Sequence, residues 1–182
     1  MIREILEQYF DSGDLPKLEK SEDPFWDPPN PILIGQSYLS LGALGYACDS
    51  ELEASILSID GTAGRNGTLK IAYEPCDAEG NIYDEEDIPE ELLVETADEL
   101  LGVKNYYFKV SVKQANQLPK NLSKNAFVTY QFKFDKGESY QTKETNNKDG
   151  GNIHFWNYDK VHCIEEVTPT IIQEIKEGSI SF

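Results

Sequence analysis

The run Asn105-Tyr-Tyr-Phe-Lys-Val-Ser-Val-Lys-Gln-Ala115 decides how this chain is to be read. Phe108, Val110 and Val112 fall on one side of it, and Tyr107, Lys109, Ser111 and Lys113 on the other. A period of two belongs to an extended strand with one buried and one wet face. Moving outward, Leu118-Pro119 closes this strand, and Ala126 to Phe134 supplies a second alternating run. Tyr140 to Glu144 reads as a third strand, 146–151 as a polar turn, and Ile153 to Tyr158 and Lys160 to Ile164 as two more. Thr168 to Gly178 is predicted to be a helix, because Thr168 can cap it and Pro169 suits its first position. Gly178-Ser-Ile-Ser-Phe182 then returns to strand.

On the N-terminal side, strands are expected over Ile32 to Tyr46, Leu52 to Ile59 and Leu69 to Tyr73, with a turn at Gly61, Gly64 and Gly67. Those glycines are not followed by Lys-Ser or Lys-Thr, so they read as turn residues rather than a nucleotide loop. The fold class is therefore mainly β: an antiparallel sandwich, a small β meander before it, a short N-terminal helix, and one or two short helices in an acidic connector. The expected divisions are 1–31, 32–76, 77–103 and 104–182. Whether the two β segments build one sandwich or two is open at this stage.

Ile2, Ile5, Leu6, Tyr9 and Phe10 recur at helical spacing, which marks a short amphipathic helix. A stretch over 21–31 follows with Pro24, Pro28, Pro29 and Pro31, which forbid helix and favour extended backbone. Its large apolar groups, Phe25 and Trp26, are candidates for insertion into a neighbouring surface. Between Lys70 and Lys104 there is no basic residue, while Asp84, Glu85, Glu86, Asp87, Glu90 and Glu91 crowd together. This segment reads either as a solvated connector or as a docking strip for Lys and Arg of a partner.

The net charge of −17 over 182 residues argues against nucleic acid, which would repel the chain. It also disfavours flat adsorption to anionic lipid. Three cysteines without a Cys-x-x-Cys pair suggest neither a disulfide framework nor a zinc site. With no apolar run near the roughly 18 residues of a membrane span, a cytoplasmic location is expected. His154 and His162 lie within predicted strands, and Cys163 beside His162 points to the opposite strand face. No catalytic pair is suggested, so neither enzymatic activity nor a cofactor is expected.

Several short motifs fall in one order: Asp23-Pro-Phe-Trp-Asp27, Leu33-Ile-Gly-Gln-Ser37, Gly67-Thr-Leu-Lys-Ile71, Asp87-Ile-Pro-Glu-Glu-Leu-Leu-Val94 and Leu100-Leu-Gly102. They resemble the tail of kinesin-3 type microtubule motors beyond the stalk coiled coils. Phe108-Lys-Val-Ser-Val112, Asn125-Ala-Phe-Val-Thr-Tyr130, Val161-His162 and Gly178-Ser-Ile-Ser-Phe182 resemble the C2-like domain that follows there. The resemblance implies a C2-like sandwich that binds cargo adaptors, its own motor region or a neighbouring chain. A cytoskeleton-associated location is implied with it, a cilium being one setting. Further strands should follow Phe182, so the sheet is expected to have an unpaired edge there.

Calcium-binding C2 domains gather aspartates from loops, because the ion wants several hard oxygens. The corresponding loop, Gln117-Leu-Pro-Lys-Asn-Leu-Ser-Lys-Asn125, holds Lys120 and Lys124 and no carboxylate, so calcium independence is expected. These lysines are candidate partner contacts. Two other classes of function stand beside the motor tail: a structural protein of a cytoskeletal or ciliary assembly, and a phosphoinositide-binding C2-type module.

Overall fold

The computed structural model describes residues 7, 9–13, 30–58, 66–84, 87–134, 138–145 and 153–182. Ile2, Ile5, Leu6, Phe25, Trp26, Glu85 and Glu86 lie outside the described residues. The chain divides into Met1–Ile32 and Leu33–Phe182. In the first unit, residues 9–12 are helical, and the amide of Gly13, at φ 72°, donates to the Tyr9 carbonyl at 2.8 Å.

Two antiparallel sheets of four strands make up the second unit. One has the order β1 (Tyr38–Ser40), β8 (Ser179–Ser181), β5 (Thr129–Gln131), β6 (Ser139–Gln141). The other has the order β2 (Ser50–Ser55), β3 (Thr68–Pro75), β4 (Lys104–Asn116), β7 (Ile153–Glu166). The alternation seen in the deciding stretch is that of β4: Tyr106, Phe108, Val110 and Val112 are buried, and Lys109 and Lys113 are part-exposed on the outer side. Ser111 is the exception, buried on the outer face because its hydroxyl donates to Asp159 of β7 at 2.6 Å.

Strands β3 and β4 pair from Pro75↔Phe108 to Thr68↔Asn116. The β segments of 32–76 and 104–182 therefore share a sheet and form one sandwich. The two sheets meet through rings and hydrogen bonds. Phe108 meets Phe132 edge to face at 5.5 Å, the Tyr130 hydroxyl bonds His162 Nε2 at 2.8 Å, and the Tyr73 hydroxyl donates to the Ser40 carbonyl at 2.8 Å. Each aromatic contact is worth about 0.5–1.5 kcal/mol beyond its buried area.

Three local expectations change. The strand predicted to run to Tyr46 stops at Ser40, and Gly42–Tyr46 form a 3-10 helix. There the backbone comes close to its neighbours: a Cβ on Gly45 would lie 2.8 Å from the Ala97 Cβ and 3.2 Å from Ile175 Cγ2. The Tyr106 hydroxyl ties the turn down by donating to the Leu44 carbonyl at 2.9 Å. Second, the strands predicted over 153–158 and 160–164 are one continuous strand, β7, with a bulge. Val112 faces Tyr158 and Gln114 faces Phe155, so Trp156 and Asn157 together oppose Lys113. Asn157 absorbs the extra residue with φ 45°.

Third, β8 is not an edge. It lies between β1 and β5, with reciprocal hydrogen bonds of 2.9 Å between Ser37 and Phe182 and a bridge between Gln131 and Ser181. The N-terminal β1 occupies the place where an unpaired edge was expected. Helix α1 (Pro169–Glu177) begins as predicted, with the Ile171 amide donating to Thr168 Oγ1, and it buries Ile172 and Ile175.

Candidate functional site

The acidic segment is pinned to the sandwich. Leu92, Ala97 and Leu100 are buried in the core, within or beside the 3-10 turns Glu90–Leu92 and Ala97–Leu100. Each turn exposes the residues between its anchors. Asp84, Asp87, Glu90, Glu91, Glu95, Asp98 and Glu99 are all exposed. The Asp87 amide donates to the Asp84 carbonyl at 2.9 Å. Glu99 accepts from the Thr96 hydroxyl and from the Glu95 amide, both at 3.0 Å, closing the start of the second turn. Asp98 pairs with Lys176 of α1 at 2.7 Å. The end of the segment is clamped by Gly102 donating to the Val167 carbonyl and Val167 donating to the Val103 carbonyl, each at 2.9 Å.

Its start is a turn whose Asp77 carboxylate accepts from the Asn81 amide and side chain, both at 2.8 Å. These bonds hold the Asp77 carboxyl below its usual range.

Lys120 and Lys124 are exposed in the loop after β4, where Leu118 is the buried anchor and the Ser123 hydroxyl donates to the Lys120 carbonyl at 3.1 Å. The acidic segment joins β4 at Lys104 and this loop leaves it at Asn116. The 13 residues of β4, roughly 40 Å in length, lie between the end of the acidic segment and the start of this loop. The acidic segment and the lysine loop thus connect to β4 at opposite ends.

Other lysines are engaged with carboxylates. Lys133 pairs with Glu174 at 3.0 Å, and Lys109 lies 3.9 Å from Glu74. On the outer face, Glu51 of β2 lies between Lys70 at 2.8 Å and Lys113. Hydrogen bonds from Lys113 and then Lys70 pull the Glu51 carboxyl down to about 2. The Glu53 carboxylate accepts from Thr68 and Asn116 at 2.6 and 2.9 Å. Sequence reasoning missed this charged lattice, whose residues become neighbours only through the pairing of β2, β3 and β4. Strict alternation within each strand was the one available signal.

Both histidines are buried. His162 sits among Phe108, Tyr130, Phe132 and Tyr140. His154 Nδ1 lies 2.9 Å from Thr145 Oγ1, which is itself 3.3 Å from the Ala126 carbonyl. Among the described residues Nε2 of His154 is buried with no hydrogen-bond partner, and burial holds the ring's pKa low. Burial also pushes the Cys76 thiol up to about 11, the condition of an inert thiol. Among the described residues no group of three His, Cys, Asp or Glu could hold a metal ion. No described helix is long and apolar enough to cross a membrane.

Over 101 residues, 54% of this chain, the sequence is 30% identical to the human kinesin-like protein KIF28P. The mouse kinesin-like protein KIF28 matches at 30% over 101 residues, and the rat protein at 29% over 113 residues. The chain spans about a tenth of the length of these relatives, which cover 10% to 11% of their own sequence in the match. Over about half of its length the chain is thus similar in sequence to kinesin-like proteins. No family model matches it.

Proposed function

We propose that the chain is a non-catalytic, calcium-independent docking module of a kinesin-3-like motor tail, engaging a basic protein surface through the exposed carboxylates of 84–99. The similarity to kinesin-like proteins over more than half of the chain carries the motor assignment. The anchored carboxylates support the docking role. Leu92, Ala97 and Leu100 fix the backbone, so a partner meets charges already held in place and orders less on binding. Their common sign favours Lys- and Arg-rich partners, with faster association at low salt. Cytoskeleton association follows from the same reading, the partner being a cargo adaptor or the motor's own head.

The test is recovery of a kinesin motor polypeptide with the tagged, intact chain from cells. Glu90→Lys with Glu91→Lys is expected to abolish recovery, and Lys120→Glu with Lys124→Glu to leave it intact. Recovery of no motor polypeptide, or loss only with the lysine variant, would count against this reading.

A further inference from the structure

Strand β7 is the long edge of its sheet: among the described residues it pairs only with β4, over fourteen residues. Exposed edges of this length invite a second strand, and bulges are one protection. Here the bulge at Asn157 guards only the first third, and the register against β4 is regular from Tyr158 to Ile164. The parity of that pairing shows which groups face out. The Tyr107 carbonyl is used by the Cys76 amide on the β3 side, so Tyr107 and its opposite residue Cys163 do not exchange bonds. The backbone groups of Asp159, Val161, Cys163 and Glu165 therefore point away from β4.

We propose that this edge is a homodimer interface, with β7 pairing antiparallel to β7 of a second copy about a two-fold axis at Cys163. This centre joins the outward groups of Cys163 to those of Cys163 of the partner subunit, and Val161 to Glu165 of the partner subunit. It also sets Lys160 opposite Glu166 of the partner subunit, twice by symmetry. Neighbouring centres are worse. Centring on His162 sets Asp159 against Glu165 of the partner subunit, and centring on Lys160 sets two lysines face to face. Opposite charges across strands stabilise, and like charges oppose. The two sheets would join into one of eight strands. This inference uses the backbone edge of β7 and not the exposed carboxylates of Glu90 and Glu91, so either can fail without the other.

The test uses the full chain with Cys48→Ser, in light scattering and under mild oxidation. A dimer is expected, and it is expected to cross-link through Cys163, since directly opposed residues have Cα atoms about 5.5 Å apart, within disulfide reach. Cys163→Ser should remove the cross-link and keep the dimer. Lys160→Glu or Glu166→Lys alone should weaken dimerisation by up to roughly tenfold, and the double reversal should restore it. A monomer at every accessible concentration, a dimer that cross-links through another cysteine or through none, or a double reversal no better than the singles would overturn the proposal.

Discussion

The acidic segment of 77–103 and the lysine loop of 117–125 flank the same strand and carry opposite charge, yet they are built differently. The first sinks Leu92, Ala97 and Leu100 into the core, closes its second turn with Glu99 and clamps its end on Val167. The second rests on Leu118 as its one buried anchor, with the Leu122 amide donating to the Pro119 carbonyl at 2.9 Å and the Ser123 hydroxyl to the Lys120 carbonyl. The lesson is that charge density alone does not separate a linker from a surface. What separates them is whether apolar residues at turn spacing fix the backbone beneath the charges, because only then is ordering entropy already spent before a partner arrives.

That contrast can be broken most sharply at Leu100. Leu100→Ala should cost about 2–5 kcal/mol and lower the melting temperature by many degrees, whereas Leu93→Ala, at 63% exposure, should stay within about 0.5 kcal/mol. Equal effects in thermal denaturation would mean that the segment is not anchored. Glu99→Ala should cost about 1 kcal/mol, since the Glu95 amide and Thr96 hydroxyl lose their acceptor, and exchange of the Glu95 amide should quicken. Lys176→Ala should cost less than about 1 kcal/mol and matter less in high salt, because its partner Asp98 is largely exposed. Lys120→Ala should leave stability unchanged within about 0.5 kcal/mol in the same melts.

A further test concerns the core that both regions share. His154 has a pKa held below its ordinary 6.5 by burial, so the unfolded chain takes up this proton more readily than the folded one. Stability from this residue is constant above the unfolded value and falls as pH drops below it. Melting curves through that range should show the decline, and His154→Leu should flatten it; an unchanged slope would exclude His154 as the source.

Alternation made β4 legible from residues 105–115 alone, and Thr168-Pro169 marked the start of α1 with no help from packing. The turn at Gly42–Tyr46 was not legible, because an apolar run can serve strand or helix and the close approach of Ala97 and Ile175 to Gly45 decides between them. The place of β8 was hidden for a related reason: its neighbour β1 lies about 140 residues earlier, and no local pattern announces such a pairing. In the candidate site, the exposure of Asp84, Asp87, Glu90 and Glu91 was readable as a run of like charge. The anchoring beneath them was not, since Leu92 and Leu93 look alike in sequence and only the fold buries the first.

The most direct test of the central claim is mass spectrometry of the native polypeptide that carries these residues, isolated with its partners from its own cells. The account predicts peptides of a kinesin motor domain in the same polypeptide or the same complex. A polypeptide and complex without motor peptides would contradict it.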